Sequence, residues 1–220
     1  MALRSRKTSY IRRMRRGAIT GPRLAFKMMM KIVFATNNAH KLEEARRLAG
    51  GKIEILSLAD IGCREELPET CDTIEGNSRQ KAEYVREHYG YDCFSDDTGL
   101  FVEALGGAPG VYSARYAGDH CSPDDNIERL LAEMEGKTHR EAEFRTVVTL
   151  CTGDGCSQFE GVVEGSIADS RQGTGGFGYD PVFIARENGI SFAEMAPEAK
   201  NEISHRGRAL RKLFQALGRR

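Results

Sequence analysis

Ser95-Asp96-Asp97-Thr98-Gly99 is the stretch on which the reading of this chain turns. The run before it, Tyr91-Asp92-Cys93-Phe94, leans apolar, and a Thr-Gly pair follows. The pattern predicts a strand that ends in two adjacent carboxylates. In open α/β sheets, ligands bind beyond the carboxyl ends of the strands. Two like charges this close repel unless a cation or a proton lies between them. Carboxylate oxygens suit a hard cation such as Mg²⁺, which keeps several waters and shares its shell with substrate phosphates. The pentapeptide thus points to a Mg²⁺-phosphate site, although Asp and Gly also build ordinary solvated turns. The flanking chain weighs the two readings.

Immediately upstream, Lys31 to Ala35 is a short apolar run closed by Thr36-Asn37-Asn38, which reads as a buried strand ending in a polar turn. His40 to Leu48 then carries Leu42, Ala45, Leu48 and Ala49 on one stripe and stops at Gly50-Gly51, as an amphipathic helix does. A strand, turn and helix in this order aim the helix amides at whatever lies past the strand, and such amides favour phosphate. Lys41 falls in the first turn, where a cation opposes the helix dipole. That placement makes sense when an anion arrives there, and is otherwise a solvated lysine. Lys52 to Leu58 predicts a second strand, residues 59–74 a loop containing Leu67-Pro68-Glu69-Thr70, and Asn77 to Tyr89 a helix closed by Gly90.

Downstream, Leu100 to Ala104 reads as more strand or a short helix, and Gly106 to Gly110 as a turn cluster. Ser122-Pro123-Asp124-Asp125 is a helix start, with Ser as cap, Pro in the first position and acids in the first turn. Its helix is expected to reach Met134. Glu141 to Cys151 and Gln158 to Ala168 read as strands joined by the hairpin turn Thr152-Gly153-Asp154-Gly155. Ser191 and Glu194 have capping-box spacing. Ser204 to Leu217 predicts an amphipathic helix with Leu210, Leu213, Phe214 and Leu217 inward. Strands and helices mix without a clean βαβ repeat. The expected fold is therefore α/β, a mixed central β-sheet flanked by helices.

Two candidate phosphate-loop motifs fail, one by context and one by letter. Gly173-Thr-Gly175-Gly-Phe-Gly178 has GxGxxG spacing, but Tyr179-Asp180-Pro181-Val-Phe-Ile184 follows and favours a strand where a dinucleotide site needs a helix. The loop still allows close approach of backbone to ligand, with Phe177 and Tyr179 available to stack on a base. Gly136-Lys137-Thr138 resembles the end of a Walker A loop, yet position 131 is Leu where that motif needs Gly. Lys200 and Ser204-His205-Arg206 form a cationic cluster before the last helix, suited to anions or carbonyl oxygens or else simply a solvated basic turn.

The chain has 220 residues, 40% hydrophobic and 29% charged, which fits a soluble globular protein of one domain or two small lobes. It contains no run of about 18 apolar residues that would span a membrane. Its six cysteines (63, 71, 93, 121, 151 and 156) form no CxxC pair and have no His at zinc spacing, so reduced thiols of a cytoplasmic protein are expected. Nine of the 32 basic residues and none of the 32 acidic ones fall in residues 1–29. The remaining body is therefore acidic, which argues against nucleic acid as its main partner. The basic arm is expected to be a disordered extension, because blocks of like charge rarely fold. On that reading Met28, Met29 or Met30, just before the first strand, would suit a true start; an RNA-binding arm, an anionic-surface contact and an Arg-rich transit peptide are the other readings.

Taken together, five stretches resemble the inosine triphosphate pyrophosphatase family: Phe34 to Lys41, Ser95 to Leu100, Leu105 to Tyr116, Gly173 to Pro181 and Ile203 to Gly207. They occur in family order over residues 31–217, so residues 30–220 are expected to be the catalytic domain. The resemblance implies two lobes around a substrate cleft and Mg²⁺-dependent cleavage of a purine nucleoside triphosphate carrying hypoxanthine or xanthine, giving monophosphate and pyrophosphate. It implies that Thr36, Asn37, Asn38 and Lys41 hold the triphosphate, with Asn37 standing where the family has Gly. Asp97 would be the metal-linked proton acceptor, with Asp96 beside it and Glu69 as the second acidic metal ligand. Thr98 would touch substrate. Phe177, Gly178, Tyr179 and Asp180 would frame the nucleoside, and Lys200, His205 and Arg206 would complete the base pocket. A homodimer is implied as well. The competing readings are a related pyrophosphatase acting on modified or pyrimidine nucleotides, and a nucleic-acid-binding protein whose working part is the basic arm.

Overall fold

A computed structural model describes residues 29–219. The expectations for the basic arm, apart from its last residue, lie outside these residues. Two parallel pairings begin the sheet. Strand β1 (Met30–Phe34) pairs with β2 (Ile53–Leu56) on one side and with the start of β3 (Cys93–Val102) on the other. The rest is antiparallel: β3 with β5 (Glu141–Thr152), β5 with β6 (Gly155–Ile167), and β6 with β7 (Phe183–Ala185). The two-residue β4 (Pro109–Gly110) pairs with β3. The order β2-β1-β3-β5-β6-β7 is the mixed sheet that the sequence predicts.

Alternation in β1 decides which helix covers which face. Ile32 and Phe34 point to the side covered by α1 (Ala39–Ala49) and α5 (His205–Leu217), packing with Ala45, Leu210 and Leu213. Val33 and Ala35 point to the other side, against Ala82 and Val85 of α2 (Ile74–Tyr89). Phe34 stacks on Phe94 across the parallel pair at 4.4 Å between ring centroids. A third core forms at the far ends of β3, β5 and β6, where Leu100, Phe144 and Val163 meet Ile127, Leu130 and Met134 of the α3 region (α3, Pro123–Glu133). The long strands thus run through two lobes, and the cleft lies between them.

Several boundaries move. β3 does not end at the acids: Asp96 pairs with Val148, Asp97 with Val147, and the ladder continues to Val102 opposite Ala142. The antiparallel partner β5 supplies the hydrogen bonds that carry the strand past Thr98-Gly99. The parallel neighbour β1 stops at Phe34, opposite Phe94. The acids therefore lie beyond the carboxyl end of β1 while sitting in the middle of β3. Helix α2 starts three residues earlier than expected because the Thr73 side chain accepts the Gly76 N–H at 3.0 Å and caps it. After the glycine loop, Asp180–Val182 is a single 3₁₀ turn before the short β7, so the helix that a dinucleotide motif requires is not there, in line with its rejection. A short helix α4 (Pro197–Ile203), absent from the sequence reading, precedes α5. Cys151 and Cys156 form a disulfide across the β5–β6 hairpin, correcting the expectation of six reduced thiols. The two residues are direct cross-strand partners, a proximity that linear spacing does not reveal.

Candidate active site

The cleft encloses about 650 Å³ and gathers residues from separate segments of the chain between Ala35 and Arg206. Its floor is the turn between β1 and α1. Asn38 caps α1 there: its Oδ1 accepts the N–H groups of His40 (3.0 Å) and Lys41 (3.2 Å), and its own N–H donates to Thr36 Oγ1 (3.2 Å). The Asn38 side chain is thus committed to the helix, while Thr36, Asn37 and Lys41 line the cleft beside it. Asn at this position does for α1 what Ser122 does for α3, supplying an oxygen to amides that would otherwise lack partners.

The two acids of β3 have opposite surroundings. Asp96 has a fully buried side chain and is held by two cations, Lys41 Nζ at 3.0 Å on Oδ1 and Arg206 Nε at 2.9 Å on Oδ2. Burial alone would raise its pKa, but Lys41 and Arg206 outweigh burial and hold the carboxyl well below the usual range. Both Asp96 oxygens are spoken for, and Asp96 is not among the cleft-lining residues. Asp97 does face the cleft. Burial pushes its pKa up, against the pull of Lys81 and Lys41 and with help from Glu69 and Asp96. Lys81 Nζ lies between Glu69 and Asp97, bonded to both, at 3.3 Å from Asp97 Oδ1. Burial lowers the Lys81 pKa, but Asp97 and Glu69 outweigh it and keep the ammonium charged.

A second cluster forms the opposite wall. Lys200 reaches Asp180 at 2.7 Å and Glu44 of α1 at 3.4 Å, and Arg206 donates to Glu44 at 2.8 Å and to Thr98 Oγ1 at 3.3 Å. Thr98 also bonds Thr146 at 2.6 Å. The Phe177 ring is flanked by His40 (5.5 Å, nearly parallel), Lys200 (4.8 Å) and Arg206 (5.3 Å). Asp180 Oδ2 accepts the Phe177 N–H at 2.7 Å and fixes the glycine loop. Gly176 must be glycine here, since its φ is +72° and a Cβ would stand 2.1 Å from that Asp180 oxygen. Tyr179 OH donates to Ser113 O at 3.0 Å and ties the loop to the second lobe. Gly178 and Tyr179 line the cleft. His205 is buried against Phe144 at 4.5 Å, and its Nδ1 has no partner among the described residues. Burial, with Arg206 and Lys200 nearby, pushes the His205 pKa well below its ordinary value, so the ring is neutral.

All the expected residues but Asp96 line the cleft, and Asp96 organises two that do. Glu44, Lys81 and Asn77 were not singled out from sequence. Asn77, Gln80 and Lys81 share one helical face at spacings of three and four. A polar stripe beside the apolar Ala82 and Val85 was the available clue.

Whether a hard divalent cation fits is decided by the donor set. Glu69 and Asp97 are close enough to share one ammonium, and both offer only oxygen. Among the described residues no group of three or more His, Cys, Asp and Glu is arranged for a metal. Mg²⁺ is commonly held by one or two carboxylates plus substrate phosphates and water, and this pair meets that requirement.

Comparison with known proteins gives the family. The model of the Ham1 family matches residues 32–216. The dITP/XTP pyrophosphatase of Porphyromonas gingivalis is 54% identical over 190 residues, covering 86% of this chain and 98% of that protein. The dITP/XTP pyrophosphatase of Christiangramia forsetii is 51% identical, covering 86% of this chain and all of that protein. Among solved structures, a HAM1 protein from Coxiella burnetii superposes with a TM-score of 0.80 at 34% identity, over 87% of this chain and 100% of that one. The Staphylococcus aureus Ham1 protein does so with 0.78 at 35% identity, over 86% and 98%. With a family model spanning most of its length, relatives matched over 98–100% of their own length and the same fold, this chain belongs to the Ham1 family.

Proposed function

We propose that the chain is a Mg²⁺-dependent nucleoside triphosphate pyrophosphatase that cleaves non-canonical purine substrates, of the inosine and xanthosine type, to the monophosphate and pyrophosphate. The observation that carries this reading is the pairing of two cleft carboxylates, Glu69 and Asp97, with four buried or half-buried cations, Lys41, Lys81, Lys200 and Arg206. The names of the similar proteins support the same substrate class. A triphosphate brings about four negative charges, so its hydrolysis is mostly positioning and charge neutralisation. Lys41, in the first turn of α1, and Lys81, on α2, line the cleft and would donate to the incoming phosphate oxygens in place of their carboxylate partners. Glu69 and Asp97 would hold Mg²⁺, which when bound neutralises phosphate charge and acidifies water. Asp97 orients the attacking water and accepts its proton at a carboxylate oxygen; burial makes that oxygen more basic than an exposed Asp.

The nucleoside end is read from donors and rings. Phe177 offers a face for the base. Arg206 spends three N–H groups on Asp96, Glu44 and Thr98, and of its five two are left for an acceptor such as O6. Adenine presents an amino donor at that edge and would leave a buried donor unpaired, a mismatch that can discriminate by roughly 10⁴-fold. The reading also makes the enzyme a cytoplasmic homodimer. No helix among the described residues is long and apolar enough to cross a membrane.

The test is pyrophosphate release from inosine, xanthosine, guanosine and adenosine triphosphates with Mg²⁺, beside Asp97→Asn. Fast release from the first two and a loss of roughly 10²-fold or more in the variant are expected, in line with removal of a positioned base. Free phosphate as product, or adenosine triphosphate cleaved as fast as inosine triphosphate, would overturn the assignment. Turnover of modified pyrimidine nucleotides alone would select the related pyrophosphatase instead. Sedimentation at micromolar concentration checks the dimer.

A further inference from the structure

Asn77 is 1% exposed, sits one turn before Lys81 on α2, and uses both ends of its amide between the two acids of the cleft. Its Oδ1 accepts the Cys71 N–H at 2.9 Å, and its Nδ2 donates to Asp97 Oδ2 at 3.4 Å. Cys71 lies two residues after Glu69, in a segment that α2 grips closely. Gln80 accepts the Thr70 N–H and donates to Thr70 Oγ1, each at 2.9 Å. A Cβ on Gly76 would stand 2.6 Å from Cys71 Cβ, so the loop and the helix are in direct contact.

We infer that Asn77 is a positioning residue that sets the spacing of Glu69 and Asp97 for a divalent cation, an inference that rests on the metal-binding pair proposed above. One rigid side chain ties the loop bearing Glu69 to the strand bearing Asp97. By taking Asp97 Oδ2 it leaves Oδ1, the oxygen held only by Lys81, to a cation that displaces the ammonium. Lys81 alone cannot hold this spacing once a divalent ion arrives, because two cations repel in one site and its long stem swings away. The Asn77 amide is neutral, has few rotatable bonds and is not displaced. The arrangement follows the general pattern in which groups behind the ligands orient them, and whose loss typically costs 10–100-fold in metal affinity.

The experiment measures Mn²⁺ binding by water-proton relaxation, with Mn²⁺ alone and with Mn²⁺ plus inorganic pyrophosphate. It compares the full chain with Asn77→Ala, Gln80→Ala and Asp97→Asn, and thermal melting of the metal-free proteins reports folding. Asn77→Ala is expected to bind Mn²⁺ at least tenfold more weakly while melting as one cooperative unit. Gln80→Ala, which loosens the same loop at Thr70 without touching Asp97, is expected to weaken binding by about two- to threefold. It carries the test if Asn77→Ala does not fold. Binding within twofold of the unmodified protein in Asn77→Ala or, where that variant does not fold, unchanged binding in Gln80→Ala, overturns the inference and leaves the carboxylate pair standing. Binding that is also unchanged in Asp97→Asn overturns the pair itself, and the inference with it.

Discussion

Adjacent aspartates in one strand have different work, and stability separates them. Asp96 is buried between Lys41 and Arg206, so Asp96→Asn leaves two buried cations short of a counter-charge. Breaking such a pair from one side costs about 3–5 kcal/mol, and urea unfolding at pH 7.5 is expected to read a loss of that order. Asp97 is the reverse case. Burial disfavours its ionised form, so Asp97→Asn removes a desolvated charge and is expected to leave stability unchanged or raised while activity falls. His205 gives a pH prediction. Its folded pKa lies well below the ordinary value near 6.5, so the unfolded chain binds a proton that the folded chain refuses. Stability from this group is present above about pH 6.5 and is lost as pH falls below it, at up to about 1.4 kcal/mol per pH unit. His205→Phe keeps a flat ring on Phe144 and cannot titrate. Its unfolding free energy relative to the unmodified protein should rise between pH 8 and pH 5; a constant difference would mean that His205 takes up its proton in the fold as readily as in the unfolded chain.

Elements place these residues, and one close approach governs the most important of them. α5 enters against β6 at Gly161, where a Cβ would stand 2.0 Å from His205 O and 2.6 Å from the Ala209 N. Gly161→Ala must push the first turn of α5 off the sheet and Arg206 away from Asp96. We expect a loss of about 1–3 kcal/mol from overpacking and a larger proportional loss of activity, measured by urea unfolding and pyrophosphate release on the same preparation. The Cys151–Cys156 bridge is checked by mass: alkylation of the unfolded, unreduced protein should label four cysteines, and six after reduction. These elements also mark what sequence could carry. The β1 turn, α1, the capped α3 and the apolar stripe of α5 are written in local periodicity and capping residues, and each is found where that pattern puts it. Asp97 and Lys41 were legible because they lie within short motifs. Asn77, Lys81 and Glu44 were not, because each is one polar residue on an ordinary helix until the fold brings it to a partner a dozen residues away or more: Glu69 for Lys81, Asp97 for Asn77, Arg206 for Glu44. The run of β3 past Asp97 was hidden for the same reason, since β5, 48 residues on from Thr98 to Thr146, supplies its hydrogen bonds.

The described residues build three hydrophobic cores on the same three strands, two on opposite faces at the β1 end and the third at the far end, with the cleft where they part. Asp96, Asp97 and Thr98 lie on β3 at that point, α1 and α5 bring Lys41, Glu44 and Arg206 from one side, and the Phe177 loop is anchored to the second lobe through Tyr179 and Ser113. A ligand filling the cleft therefore touches both lobes and stabilises them as a unit. Residues 30–220 carry 23 basic against 32 acidic residues, so attraction of an anion comes from the local cation cluster and not from the net charge, and should survive moderate salt better than long-range steering does. Saturation with inosine monophosphate and Mg²⁺ at 100 times the dissociation constant is worth about 2.7 kcal/mol of stability. For a chain of this size that is a rise in Tm of roughly 5–10 °C, in one cooperative transition. Differential scanning calorimetry with and without the ligand makes the comparison. A melt that splits, with one part moving and the other staying, would mean that the cleft belongs to a single lobe and that the Tyr179–Ser113 tie does not couple the two.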